Sequence, residues 1–60
     1  MKTYYRIEFK ERNSESYFKI ETDQHSTLET VRHRAGVLKH VYYPLYEYRI
    51  VEVEARERVI

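Results

Sequence analysis

The last fifteen residues, Tyr46 to Ile60, alternate side-chain character with no glycine, proline, asparagine or aspartate among them. Such a run reads as one strand, expected over residues 46–58, and at about 3.3 Å per residue the whole run would reach about 50 Å. The other strand-like runs, residues 3–12 and 16–22, are too short to cover it. A strand edge without a partner leaves backbone donors and acceptors open to another chain. The surplus therefore predicts a homodimer, with Val51, Val53, Ala55, Val59 and Ile60 as self-associating residues.

The rest of the chain has to supply the core against which this ribbon packs. From Thr3 to Arg12, Tyr5, Ile7 and Phe9 alternate with Tyr4, Arg6, Glu8 and Lys10, the period of a half-buried strand. Asn13, Ser14 and Glu15 supply turn-forming residues. Phe18 and Ile20 then alternate with Tyr17, Lys19 and Glu21, so a β-hairpin is expected with Phe18 and Ile20 inward and Tyr17 and Lys19 outward.

Ser26 followed three residues later by Glu29 fits a capping box, in which two side chains satisfy backbone amides at a helix start. A helix is expected over residues 27–41, with Leu28, Val31, Ala35 and Leu38 forming its apolar stripe. Glu29, Arg32, His33, Lys39 and His40 are left towards solvent. Gly36 inside it is expected to mark close packing on the sheet. Tyr43 before Pro44 ends the helix, because proline disfavours the helical conformation of the preceding residue.

In the final run Tyr46, Tyr48 and Ile50 share one face, whereas Val51, Val53 and Ala55 fall on the other. A β-bulge at Ile50-Val51 would bring both groups to one side. A regular strand with two apolar faces would instead bury its second half against a partner. The order β-β-α-β with a right-handed crossover predicts an α+β fold of a single domain, residues 1–60, with a three-stranded antiparallel sheet of order 2-1-3. One helix would pack on one face of that sheet, and the long C-terminal strand would form an edge.

The chemistry available is narrow. Absence of cysteine excludes disulfides and thiolate metal sites. A net charge of +1 with both signs interleaved gives no single-sign field to draw nucleic acid or a membrane surface. No run approaches 18 apolar residues, no secretory h-region follows the first methionine, and a cytoplasmic protein, in a bacterial or infected-host cytosol, is expected. Asp23, His25 and Ser26 match a nucleophilic triad in composition only, since real triads assemble from separate parts of a fold. His25, His33 and His40 lack the spacing of a metal site. Glu52 and Glu54 share a strand face as an acid and base pair would, yet such a pair on a charged edge is the pattern of a solvated face. A single glycine provides no phosphate-cradling loop. No enzyme activity, cofactor or catalytic residue is expected.

Tyrosine and arginine are favoured at interfaces, and the outward face of the hairpin interleaves them. Tyr4, Arg6, Tyr17 and Lys19, with Tyr43 and Tyr46 near the proline, are the candidate partner-binding residues. The function expected is that of a small non-enzymatic protein-binding module, a viral or mobile-element inhibitor of a host protein being one form of it. The alternative is a nucleic-acid-binding regulator using the hairpin face or the basic helix residues Arg32, Arg34, Lys39 and His40.

Overall fold

Alternation in the first run produces strand β1, Tyr4–Glu11. Asn13 takes a left-handed backbone (φ 62°), which asparagine tolerates better than most side chains. Ser14 donates its amide to the Glu11 carbonyl at 3.3 Å there. The chain returns as β2, Lys19–Ile20, antiparallel to β1 with Glu8 opposite Ile20 and Phe9 opposite Lys19. This computed structural model describes residues 2–15, 17–21 and 24–60, so Ser16 and Thr22, at the margins of the strand expected over 16–22, lie outside the described residues.

The register of β2 corrects the expected orientation. Ile20 shares a face with Glu8, away from the helix, and Lys19 shares one with Phe9, towards it. Alternation fixes which side chains share a face, and the register alone fixes which face that is. Beyond β2, Glu21 donates its amide to the Ile7 carbonyl at 2.7 Å, and His25 and Tyr5 exchange two backbone hydrogen bonds at 2.7 and 2.9 Å.

The helix α1, Leu28–Tyr42, is capped by Thr27 rather than Ser26. Thr27 is extended, and its hydroxyl accepts the Thr30 amide at 3.2 Å. Glu29 then stands second in the helix, one place short of a capping box. At the other end Tyr43 leaves the helical conformation and donates its amide to the Lys39 carbonyl at 3.1 Å. Val31, Ala35 and Leu38 pack with Ile7 against Tyr5, Leu28, Tyr48 and Ile50. Gly36 is not on that face: it is exposed, with nothing within 4 Å of the place its Cβ would occupy.

Strand β3, Tyr46–Val53, pairs with β1 through eight successive pairs, from Tyr4 opposite Val53 to Glu11 opposite Tyr46. The unbroken register excludes a bulge at Ile50-Val51, so the strand is regular and apolar on both faces. The ribbon does not continue, however. Glu54 donates its amide to the Arg56 carbonyl at 3.1 Å, and the chain reverses into β4, Glu57–Val59, antiparallel to β3. Ile60 closes the pairing with a 3.0 Å bond to the Ile50 carbonyl.

The result is a small α+β fold, one helix with a four-stranded antiparallel sheet of order β2-β1-β3-β4. The single strand expected over 46–58, and the three-stranded sheet with it, are thereby corrected. The protein covers its own surplus edge, and a second copy is not needed to do so. Val51, expected at a self-association surface, is only 2% exposed and stands between Arg6 and Val59 on the neighbouring strands. Strand β4, not β3, is the edge on this side of the sheet.

Candidate functional site

Three surfaces carry polar or aromatic chemistry, and the fold separates them. On the sheet face away from α1, Glu8 is the central group, its side chain 7% exposed. Arg6 Nε donates to Glu8 Oε2 at 2.7 Å and Arg49 Nε to Glu8 Oε1 at 2.8 Å, while Arg6 Nη2 reaches Glu57 at 2.7 Å. Burial pushes the Glu8 carboxyl up, but hydrogen bonds from Arg49 and Arg6 outweigh it and hold the group below the usual carboxylate range. The hydrogen bond that Arg6 donates to Glu57 is the largest influence raising the Arg6 guanidinium, against the opposing effect of burial.

Arg49 also stacks over Phe18, 3.8 Å from the ring centroid, with Lys10 at 5.4 Å from the same ring. That contact gives Phe18 a reason to lie outside the core: a guanidinium over an aromatic face is attracted by the ring quadrupole. Lys10 meets Glu47 at 3.2 Å. The cations of this face are therefore matched by carboxylates of their own chain, which would repel a phosphate backbone.

The second surface lies where α1 meets β3. Phe9, Tyr46, Tyr48 and Tyr42 stand mostly edge to face, with centroid separations of 5.6 to 6.5 Å. Such offset aromatic geometry adds about 0.5–1.5 kcal/mol per pair beyond burial. Burial, with smaller effects from Tyr42, Glu21 and Tyr46, raises the Tyr48 hydroxyl above its ordinary value. Arg34 reaches Glu21 Oε1 at 3.2 Å beside this corner, and Glu21 Oε2 is enclosed without a partner among the described residues.

The outward side of α1 is the third surface. Arg32, His33, Lys39 and His40 are exposed there, and they are the helix neighbours of Gly36 at three and four residues on either side. Among the described residues neither Arg32 nor Lys39 makes an ion pair. Val37, 41% exposed, and Val41, 61% exposed, form the adjoining row. A glycine in an exposed helix interior costs about 1 kcal/mol relative to alanine, and packing within this chain does not require it.

No family model, curated protein or solved structure matches this chain. The chemistry of the three surfaces has to carry the functional reading.

The residues expected to bind a partner do not form one patch. Tyr4 is half-buried on the outer sheet face, and Arg6 is held there between Glu8 and Glu57. Lys19 faces the helix side of the sheet, and Tyr17, two residues before it, is 91% exposed. Tyr46 belongs to the aromatic corner. Tyr43, 70% exposed, carries the Arg12 guanidinium 5.3 Å from its ring centroid. Among the basic helix residues, Arg34 is engaged by Glu21, whereas Lys39, His40 and Arg32 have no such partner among the described residues.

The remaining candidates are scattered or occupied. Of the triad-like set, Asp23 lies outside the described residues, His25 holds the backbone bridge to Tyr5, and Ser26 is exposed without capping α1. Glu52 accepts from Arg58, and Glu54 accepts from the Thr3 hydroxyl at 3.2 Å. No three His, Asp or Glu side chains gather to hold a metal among the described residues. Of the self-association residues, Val59 and Ile60 remain exposed on β4, Ala55 is exposed in the turn and Val53 is half-buried. The spacing around Gly36 was present in the sequence as positions 32, 33, 39 and 40, but reading Gly36 as a packing contact concealed it.

Proposed function

We propose that the protein is a small non-enzymatic binding module that acts by occupying a protein partner, with α1 as the contacting element. One observation carries this reading. Among the described residues the buried apolar side chains are Ile7, Val31, Ala35 and Leu38 beneath the helix and Val51 on the other sheet face, while Val37, Val41, Tyr42, Tyr43 and Leu45 stay exposed on and just beyond the second half of α1. Folding leaves apolar side chains near one end of the molecule when they would add most to a core this small, and exposed apolar groups in number are characteristic of interaction surfaces.

Nucleic-acid binding by the hairpin face is the weaker reading, because Arg6, Lys10 and Arg49 are already matched by Glu8, Glu57 and Glu47. A homodimer built on an unmatched ribbon is not part of the proposal, since β4 covers that ribbon.

The test is affinity purification from the native cell with the parent chain and with Val37→Asp/Val41→Asp, followed by mass spectrometry. Both substitutions are at exposed positions and leave the core intact. A protein retained by the parent and lost by the variant is the expected result. Identical retention by both chains would remove α1 as the contacting element.

A further inference from the structure

We infer that the outward face of α1 is a seat for an acidic side chain of the protein partner, centred on Gly36 and walled by Arg32, His33, Lys39 and His40. This rests on the binding-module reading and names the partner's chemistry. The helix repeat places residues at i−4, i−3, i+3 and i+4 in a ring around position i. Here that ring is two cations and two imidazoles, and its centre has no side chain. The missing Cβ opens the helix backbone to close approach, and no atom beyond the adjoining residues and the helix's own backbone comes within 4 Å of where a Cβ would stand.

The basic ring spans about two turns, with about 10 Å of helix axis between Arg32 and Lys39. An acidic group resting on Gly36 would lie within reach of both. Arg6, Lys10, Arg34, Arg49 and Arg58 are each paired with a carboxylate of the fold, whereas Arg32 and Lys39 make no ion pair among the described residues, so two unmatched cations stand together on this helix face.

Two features favour a protein segment over a nucleic acid. Val37 and Val41 border the imidazole row and offer apolar contact, for which a phosphate backbone has no use. Glu29, one heptad before Gly36, stands exposed on the same side of the helix and closes the basic surface at its N-terminal end. A nucleic acid gains affinity by neutralising many phosphates in a row, whereas one carboxylate needs only this ring. The partner segment that fits is amphipathic, with an acidic residue beside apolar ones.

The test is a backbone-amide NMR titration of the full chain with a fifteen-residue helical peptide carrying leucine at one face and glutamate elsewhere. A peptide with lysine replacing the glutamates and a single-stranded deoxythymidine fifteen-mer are the comparison probes. The acidic peptide is expected to shift the amides of residues 32–41 saturably, and Arg32→Glu/Lys39→Glu to weaken it at least about tenfold. Gly36→Leu, which suits an exposed helix and so preserves the fold, is expected to weaken it about as much by filling the seat. The inference is overturned if the oligonucleotide binds as tightly as the acidic peptide, if the lysine peptide binds equally, if no probe shifts these amides, or if the two variants bind unchanged. Loss of native-partner capture in Val37→Asp/Val41→Asp but not in Arg32→Glu/Lys39→Glu would end the acidic seat and keep the binding module.

Discussion

Removing the Glu8 carboxylate tests how the outer sheet face is held. In Glu8→Ala, Arg6 and Arg49 lose their shared acceptor. Arg6, 14% exposed, keeps Glu57, and Arg49, 37% exposed, keeps the Phe18 ring. Breaking a fully buried ion pair by removing one partner costs about 3–5 kcal/mol, and leaving a buried polar group unsatisfied costs about 1–3 kcal/mol. Partial exposure and the surviving contacts place this loss at about 2–3 kcal/mol. A chain of 60 residues has a total stability of only about 3–9 kcal/mol. One kcal/mol moves the midpoint of such a domain by about 4–8 °C, so a fall of about 8–24 °C is expected in circular-dichroism melts at pH 7.

The pH dependence follows from the sign of the Glu8 shift. A carboxyl held below its unfolded value contributes stability that is fully present above the ordinary carboxylate range and lost as pH falls through the folded value. The parent should therefore lose its advantage over Glu8→Gln from about pH 4.5 downward. Glu47→Ala, which removes only the half-exposed pair with Lys10, is the control and should change stability by less than about 1 kcal/mol. Melting of Glu8→Ala within 3 °C of the parent (on the order of 0.5 kcal/mol), or equal pH profiles for parent and Glu8→Gln, would refute the reasoning.

Gly36→Ala should raise stability by about 0.5–1 kcal/mol, seen as a higher urea midpoint with an unchanged slope; a loss would mean that Gly36 serves the fold itself. Thr27→Ala should lower stability by about 1 kcal/mol, because the Thr30 amide loses its acceptor, whereas Ser26→Ala should be nearly silent in the same assay. Deleting residues 56–60 removes β4, bares Val51 and turns β3 into an open edge. A loss of about 1.5–3 kcal/mol for the valine is expected, with stronger self-association in sedimentation than the full chain shows. Equal melting and sedimentation of both chains would contradict the role given to β4.

Strand β1, helix α1 and the neighbouring of β1 by β2 and β3 were legible because their periods of 2 and 3.6 are strong and distinct. The reversal at Glu54–Arg56 was not. In the β3–β4 pairing, Val51 opposes Val59 and Val53 opposes Glu57, so odd-numbered residues keep the same face through the turn. A period-2 pattern that survives a reversal looks like one continuous strand, and no glycine, proline, asparagine or aspartate marks the turn. The orientation of Phe18 and Ile20 was hidden for a related reason: their alternation is equally good on either face, and Arg49 decides the matter from a strand 31 residues away in the chain. Of the candidate site, the exposed basic residues of α1 were visible from their helix spacing. Their arrangement around an open glycine required knowing that Gly36 points away from the sheet.

Photo-crosslinking in the native cell tests most directly whether α1 is the working surface. A benzophenone side chain at position 37 or 41 should capture one protein that the same group at position 4, on the outer sheet face, does not. Capture from position 4 with none from positions 37 and 41 would place the interface on the opposite side of the molecule and contradict the account.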